Sequence, residues 1–185
     1  DDRYREMVEY YTMWTHQIKT PIAAMHLLLQ EEETPVSKEL QGELFQVEQY
    51  VQMALQYLRM ERMNTDLVFE KLDDLIHQAV RKYAPLFIRR KIALQYEDVH
   101  CQILTDEKWL EFVLEQVLSN ALKYTRKGKI KIYMDPQSPK TLVIEDTGIG
   151  IAPEDLPRVF ERGYTGYNGR TDKRSTGIGL YLCRQ

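Results

Sequence analysis

Three kinds of feature in this sequence could do chemistry: a histidine in a helical pattern, a polar edge on another helix, and two glycine turns. The histidine is His16, and the polar edge lies in "EQVLSNALKYT" (115–125). The turns are "EDTGIGI" (145–151) and "STGIGLYLC" (175–183). A glycine turn before a helix offers free backbone N–H groups to a phosphate, although such turns are also ordinary caps and connections.

His16 is the candidate nucleophile among four histidines. It follows Thr15, which lies on an apolar stripe, so we expect its ring at the edge of that stripe and near solvent. Thr20, four residues later, shares its helical face. An ordinary bundle histidine has the same pattern, and His26 on the same helix is a rival. The other two histidines are interpreted as surface or half-buried side chains.

Pro21 follows His16 within the same helical pattern. A proline has no N–H to donate to the carbonyl of Gln17, and its ring crowds that carbonyl, so the helix should bend there. We interpret the bend as a place where the helix changes between exposing the histidine and hiding it.

Composition excludes several function classes. The chain has 185 residues, of which 43% are hydrophobic, enough for one or two domains with a core. Its formal net charge of −3 gives no footprint for nucleic acid, so no such partner is expected. No apolar run is long enough to span a bilayer. Cys101 and Cys183 fit no metal or redox spacing, which favours a reducing compartment.

The first part of the chain is predicted to be a helical hairpin. Apolar side chains recur at alternating spacings of three and four residues, which is typical of heptad stripes. Thr34 is the expected N-cap of the second helix and Pro35 its first residue. Because a lone hairpin cannot cover both stripes, two copies are expected to form a four-helix bundle. The stripes include Tyr11, Thr15, Ile18, Ile22, Met25 and Leu29, then Leu40, Leu44, Val47, Val51 and Ala54.

The rest of the chain is predicted to mix strands and helices. The segment from Pro136 to Pro139 should turn between two antiparallel strands. A mixed sheet with helices on one face is the expected layer architecture. Strands are predicted at 67–72, 91–98, 129–135 and 141–146, helices at 73–88 and 106–125, and a new helix near Gly177.

Five motifs in order, "THQIKTP", "SNALKY", "DTGIGI", "RVFERGYTG" and "STGIGL", resemble the sensor histidine kinases of two-component signalling over essentially the whole chain. The resemblance implies an α+β fold. A dimerisation and histidine-phosphotransfer hairpin (1–64) precedes an α/β sandwich ATP-binding domain (65–185) of the gyrase, heat-shock chaperone and histidine kinase type. The family's fold continues beyond the last helix, so we expect this domain to be C-terminally incomplete.

The activity that the resemblance implies is autophosphorylation on His16 from Mg-ATP, followed by transfer to an aspartate of a response regulator receiver domain. The stretches "WTHQIKTPIAAMHLLLQ" and "FERGYTGYNGR…STGIGLYLC" look most like short intramembrane-sensing kinases of Gram-positive bacteria. These work beside peptide-antibiotic efflux transporters. The likeness implies a homodimer at the cytoplasmic face of the cell membrane, with membrane segments before Asp1 and a peptide-efflux ABC transporter as a candidate partner.

The resemblance also assigns roles at the nucleotide, where catalysis is mostly positioning and charge neutralisation. Asn120 is implied to hold Mg²⁺ through its amide oxygen. Lys123 would supply positive charge to the phosphates, and Tyr124 a ring against the adenine. Asp146 would accept a hydrogen bond from the adenine amino group.

The glycine motifs complete the implied nucleotide site. The first turn would let the backbone pass close to the base, and the second would present N–H groups to phosphate. Arg162 lies in a segment (160–176) that resembles a mobile lid, together with Lys173 and Arg174. The implied nucleotide-binding positions of the two turns are Gly148, Gly150, Gly177, Gly179 and Leu180.

Departures from the family pattern bear on the mechanism. Gln17 follows the histidine where the family commonly has an acid, so it can orient the ring but is no useful base. With Thr20, it occupies positions where related kinases orient a water for dephosphorylating their regulator. Gln116 stands where related ATPases place a water-activating glutamate, which disfavours hydrolysis. Its neighbour Glu115 is a candidate base toward His16, although it points roughly a hundred degrees around the helix.

Two other functions stay open from the sequence. The alternative is a catalytically weak, nucleotide-binding dimeric signalling scaffold, because Gln17 is not an acid and Thr165 stands where the family commonly has an arginine. An ATP-hydrolysing chaperone-type module is disfavoured by Gln116 and by the histidine hairpin.

Overall fold

The computed structural model describes residues 2–31, 33–59, 67–166 and 176–184. The chain divides into two compact units, Asp1–Met63 and Asn64–Gln185. The cations Lys173 and Arg174 of the expected lid lie outside the described residues.

Two helices make up the first unit: α1 spans Asp2–Glu31 and α2 spans Pro35–Arg59. The predicted start of α2 is confirmed, because Thr34 Oγ1 accepts a hydrogen bond from the Ser37 N–H at 3.0 Å and Pro35 is the first helical residue. Ser37 Oγ in turn accepts from the Thr34 N–H at 2.8 Å. This reciprocal capping satisfies N–H groups at a helix start, where the helix itself provides no acceptors.

The apolar stripes of the hairpin are partly buried. Thr15 and Ile22 on α1 are each 3% exposed, and Leu44 on α2 is 7% exposed. Other stripe residues keep much of their surface: Met25 is 43% exposed and Leu40 is 49% exposed. The hairpin therefore carries apolar surface at positions where a bundle would bury it.

Polar contacts also join the two helices. His26 Nε2 lies 3.3 Å from Glu48 Oε1, and the side-chain amide of Gln41 donates a hydrogen bond to the Leu29 carbonyl at 3.1 Å. His26 is thus engaged with the neighbouring helix.

Helix α1 continues through Pro21. The hydroxyl of Thr20, the residue before the proline, donates a hydrogen bond to the His16 carbonyl at 3.4 Å. The proline therefore does not end the helix, and a bend at this place stays a prediction.

The second unit alternates strands and helices. The predicted helices are present, with ends one or two residues from those expected. A strand at Gln102–Asp106 was not predicted. In chain order the elements are β1 Leu67–Lys71, α3 Leu72–Arg90, β2 Ile92–Tyr96, β3 Gln102–Asp106, α4 Glu107–Tyr124, β4 Gly128–Met134, β5 Leu142–Asp146, a 3₁₀ turn Leu156–Arg158 and α5 Gly179–Arg184.

The described strands form two sheets, of which the three-stranded one is mixed, as predicted. Strands β1 and β3 make an antiparallel ribbon whose register pairs Leu67 with Asp106 and Lys71 with Gln102. Strands β2, β4 and β5 make a second sheet in which β2 and β4 are parallel. The antiparallel pairing of β4 with β5 is confirmed. The separate ribbon arises because β1 finds its partner in β3, the strand that the sequence pattern did not reveal.

Helices α3 and α4 contact each other, and both contact strands of the two sheets. Apolar burial along these helices and along β4 builds the core and holds α4 in place. The large side chains that these helices and β4 bury most completely are Tyr83, Leu75, Ile76, Leu118, Leu122, Ile130 and Ile132.

Asp73 ties the loop after β2 to the start of α3. Its carboxylate accepts hydrogen bonds from the Val99 N–H at 2.8 Å and the His100 N–H at 2.9 Å, and from the Tyr96 hydroxyl. Burial acts to raise the pKa of Asp73, but these hydrogen bonds outweigh it and the pKa lies below its usual value. The carboxylate is therefore held in its charged form.

Candidate functional site

Helix α4 provides the frame of the site. Asp106 caps its start, because the Trp109 N–H donates a hydrogen bond to Asp106 Oδ1 at 3.0 Å. Asn120 is half-buried in the last turns of the helix. Beyond it, Lys123 Nζ lies 5.3 Å from the centroid of the Tyr124 ring.

Arg90 fixes the end of α4 to the end of α3. Its Nη1 donates to the Leu122 carbonyl at 2.6 Å and lies 3.3 Å from the Lys123 carbonyl. These carbonyls belong to the last turn, where the helix itself provides no donors for them. A cation at this end also interacts favourably with the helix dipole. Arg90 was not singled out from the sequence, because its partners become neighbours only when α3 packs on α4.

The first glycine turn contacts the end of α4. The Ile149 N–H donates to the Tyr124 carbonyl at 3.2 Å, and the Gly148 N–H donates to Asp146 Oδ1 at 2.8 Å. A Cβ on Gly148 would lie 2.6 Å from the Tyr124 carbonyl oxygen and 2.7 Å from Asp146 Oδ1. Gly150 takes a positive φ of +69° with open space around it. The structure thus brings Tyr124, Asp146 and Gly148 together.

The second glycine turn approaches α4 one turn before Asn120. A Cβ on Gly179 would lie 2.3 Å from Gln116 Oε1, and Gln116 and Asn120 are one helical turn apart. Leu180 follows in α5 and is half-buried. Two glycine turns that are distant in sequence therefore converge on one helix.

Arg162 is followed in the chain by Gly163, whose backbone contacts the second glycine turn. The Gly163 N–H donates to the Gly177 carbonyl at 2.9 Å. A Cβ on Gly177, whose φ is +66°, would lie 2.4 Å from the carbonyl carbon of Gly163. The segment that carries Arg162 is therefore packed directly on the second glycine turn.

Glu115 is placed differently from the other predicted site residues of α4. It is 3% exposed, and Lys82 Nζ lies 2.6 Å from its Oε1. Burial raises the pKa of Glu115, and the hydrogen bond and charge of Lys82 lower it by less. A buried, paired carboxylate of this kind favours a role in joining α3 to α4 over the general-base role.

One side chain on α4 could serve as a ligand to Mg²⁺. Within residues 2–31, 33–59, 67–166 and 176–184, no group of three or more His, Cys, Asp or Glu could hold a metal ion. Asn120 instead offers a neutral amide oxygen, a hard ligand that Mg²⁺ accepts alongside phosphate oxygens and water.

The candidate phosphate acceptor lies in the first unit. His16, Gln17 and Thr20 are all exposed on α1, while Thr15 between the stripe residues is buried. The expected position of His16 at the solvent edge of the stripe is therefore observed.

No helix in the part of the chain that the structure describes is long and apolar enough to cross a membrane.

Comparison with known proteins identifies the family. A family model described as histidine kinase-, DNA gyrase B- and HSP90-like ATPase matches residues 105–185. The sensor histidine kinase YxdK of Bacillus subtilis is 35% identical over 96% of this chain and 57% of its own length. The sensor protein BceS of Halalkalibacterium halodurans is 38% identical over 93% of this chain and 53% of its own length.

The chain belongs to the sensor histidine kinase family.

Among solved structures, full-length ShkA in complex with AMPPNP covers 94% of this histidine kinase segment and 39% of its own chain, with a TM-score of 0.58 and 21% identity. The histidine kinase AdeS of Acinetobacter baumannii covers 91% of the segment, with a TM-score of 0.51 and 21% identity. These likenesses confirm the predicted fold: a helical hairpin followed by an α/β ATP-binding domain. The segment spans about half the length of the curated relatives it matches.

Proposed function

We propose that this chain is the catalytic segment of a dimeric sensor histidine kinase that autophosphorylates on His16 from Mg-ATP. The observation that carries the proposal is the convergence of two glycine turns on α4 at Gln116 and Tyr124. A hairpin with an exposed histidine accompanies this site in the same chain. Its relatives include the sensor histidine kinase YxdK and the sensor protein BceS.

The nucleotide would be bound by the residues that converge on α4. Tyr124, Asp146 and Gly148 form one end, where a ring, a carboxylate and a close backbone suit the adenine. Lys123, Arg162 and the second turn at Gly177, Gly179 and Leu180 form the phosphate end, where cations and free N–H groups suit a polyphosphate. Gly150 lets the first turn adopt its conformation. Magnesium held by the Asn120 amide oxygen would neutralise charge on the phosphates.

The transfer step uses His16 as a nucleophile. A neutral imidazole nitrogen attacks the γ-phosphorus, a P–N bond forms, and the bond from phosphorus to the β–γ bridging oxygen breaks to release ADP. The ring N–H proton passes to water, since the ring is exposed and Gln17 cannot accept it. The phosphoryl group would then move to an aspartate of a response regulator receiver domain, with Gln17 and Thr20 beside it.

The hairpin supports a homodimer. Stripe residues Met25, Leu40 and Val47 keep between 43% and 49% of their surface in a single chain. A second hairpin would cover them in a four-helix bundle, which is the arrangement that buries two apolar stripes most completely.

We also propose that the intact protein holds this segment at the cytoplasmic face of a membrane beside a peptide-efflux ABC transporter. The support is the likeness of the histidine and glycine motifs to the peptide-antibiotic-response kinases. GraS of Staphylococcus haemolyticus, named a sensor histidine kinase, is 37% identical to the segment.

Transfer of labelled γ-phosphate from Mg-ATP to the purified protein tests the proposed kinase activity. We expect acid-labile, alkali-stable label on the wild type and none on His16→Gln. His26→Gln is the matched control, because His26 lies on the same helix but contacts Glu48, and it should keep the label. Label that persists in His16→Gln would overturn the assignment of the nucleophile. An unlabelled wild type that binds ATP would favour the signalling scaffold instead.

A further inference from the structure

A cluster between the two glycine turns is not explained by the nucleotide contacts themselves. Asp155 is 9% exposed and accepts a hydrogen bond from the Tyr164 hydroxyl. The Arg158 guanidinium lies 4.2 Å from the centroid of the Tyr164 ring. Arg158 also forks onto the Glu161 carboxylate, with nitrogen–oxygen distances of 2.9 and 3.1 Å to Oε2. Tyr164 is therefore held by its hydroxyl and by one face of its ring.

The backbone of Tyr164 lies close to Gly177, and Gly166, two residues after Tyr164, lies close to Asp155. A Cβ on Gly177 would lie 2.7 Å from the backbone nitrogen and 2.7 Å from the carbonyl oxygen of Tyr164. A Cβ on Gly166 would lie 2.9 Å from Asp155 Oδ2. Tyr164 therefore contacts Asp155 through its hydroxyl, and its backbone packs against the second glycine turn.

We propose that Tyr164, through its hydrogen bond to the buried Asp155, is a positioning residue that holds Arg162 and the Gly177 turn at the phosphate end of the nucleotide site. Arg162 and Gly163 lie between the Arg158–Glu161 fork and Tyr164, so the conformation of this short segment is set at both of its ends. The hydrogen bond from the Gly163 N–H to the Gly177 carbonyl, at 2.9 Å, joins this segment to the second glycine turn, so the position of one fixes the position of the other. The inference rests on the proposed nucleotide-binding function.

Loss of the Tyr164 hydrogen bond should affect only phosphate recognition, because different contacts hold the two ends of the nucleotide site. A hydroxyl bound to a carboxylate forms a charge-assisted hydrogen bond, which is stronger and more directional than a neutral one. The adenine end is fixed separately, by the Ile149-to-Tyr124 hydrogen bond and the Gly148 contact with α4. Loosening Tyr164 should therefore leave that end in place.

Equilibrium binding of ATP and of adenosine, each measured by competition against a fluorescent nucleotide, tests the proposal. We expect Tyr164→Phe to weaken ATP binding about three- to tenfold, as loss of one charge-assisted hydrogen bond allows, and to leave adenosine binding unchanged. Asp155→Ala, which removes the acceptor, should have a similar effect on ATP. The double variant should be no weaker than either single one, because both remove the same interaction.

Tyr133→Phe is the matched control. Its hydroxyl donates to Glu145 Oε2 at 3.2 Å on the exposed face of the β4–β5 pair, so the variant loses the same type of bond and should bind ATP as the wild type does. Equal losses for ATP and adenosine in Tyr164→Phe, or effects of the two substitutions that add, would overturn the positioning role. A wild type that binds no ATP would overturn the proposed function and this inference together, whereas a wild type that binds ATP with an unaffected Tyr164→Phe would overturn the inference alone.

Discussion

Two glycines of the first turn are required for different physical reasons. Gly148 has no room for a side chain, because a Cβ there would meet the backbone of Tyr124 at 2.6 Å and 2.9 Å. Gly150 has open space around it but a φ of +69°, a region that side chains with a Cβ rarely adopt. One position is limited by its neighbours and the other by its own backbone.

This difference predicts opposite responses to the same pair of substitutions. At Gly150, Asn should be tolerated better than Ala, whose left-handed conformation costs roughly 1–2 kcal/mol, since Asn adopts that conformation more readily. At Gly148, Ala should cost about 1–3 kcal/mol by overpacking, and Asn should cost more because it is larger. Denaturant unfolding of the four variants measures these costs, and Asn rescuing Gly148 as it does Gly150 would contradict the steric argument.

Sequence motifs predict individual candidate site residues, but they do not predict the contacts that position these residues. Asn120, Asp146 and Gly148 belong to short motifs whose local chemistry is readable. Arg90 and Tyr164 contact partners that come close only after packing, so the sequence pattern does not show these contacts, although Tyr164 itself belongs to the motif "RVFERGYTG". The position of His16 could be predicted because it depends only on which face of one helix is apolar.

At the scale of elements, the ion pair of Lys82 with Glu115 joins α3 to α4. The side chain of Lys82 is 39% exposed, whereas that of Glu115 is 4% exposed. Burial therefore dominates, and the pKa of Glu115 is raised from its ordinary value of 4.5. A carboxyl group whose pKa is higher in the folded state binds more protons there than in the unfolded chain. Its protonation thus favours folding below the unfolded pKa, and that advantage is lost as pH rises through the folded pKa.

Removing the lysine should enlarge this pH dependence. Lys82→Met leaves a buried carboxylate without its donor, so we expect a loss of about 1–3 kcal/mol at neutral pH. Without Lys82 the pKa of Glu115 should rise further. The carboxyl group then becomes protonated as pH falls, so the loss of stability should become smaller. Urea unfolding at acid and neutral pH measures the change.

Two outcomes distinguish this prediction from a simple packing defect. Lys82→Met combined with Glu115→Gln should show the same cost at both pH values, since the titrating group is gone. An equal loss at acid and neutral pH in Lys82→Met alone would show that the methylene packing of the lysine matters and that its charge does not.

The elements were predictable where their signals are local. The α2 cap at Thr34 and Pro35, and the β4–β5 hairpin, each depend on residues close together in the chain. Strand β3 was missed because its only apolar residues, Ile103 and Leu104, are adjacent and do not alternate with polar ones, and because it runs directly into α4. The helical pattern that follows masks so short a strand.

At the scale of the whole molecule, the exposed stripe predicts how the chain assembles. Val47 is 43% exposed on the stripe of α2. Val47→Glu should weaken the dimer at least about a hundredfold, because the interface would bury an unpaired carboxylate. Sedimentation equilibrium of the full chain measures the dissociation constant.

Leu27→Glu supplies the control for surface charge. Leu27 is 66% exposed and lies between the stripe positions Met25 and Leu29, roughly opposite them around the helix. It should leave the dimer intact. A Val47→Glu chain that dimerises as tightly as the wild type would mean that another surface joins the two copies.

The β1–β3 ribbon constrains the length of the chain as well as its composition. Strand β1 ends at Lys71 and α3 begins at the next residue, while Asp106 ends β3 and caps α4. With no linker at either joint, one inserted residue at the second would turn α4 by about 100° and advance it by about 1.5 Å, carrying Asn120 and Gln116 away from the second glycine turn. Insertions and deletions in this family therefore belong in the loop at 135–141, and the two joints should keep a constant length wherever the site is kept.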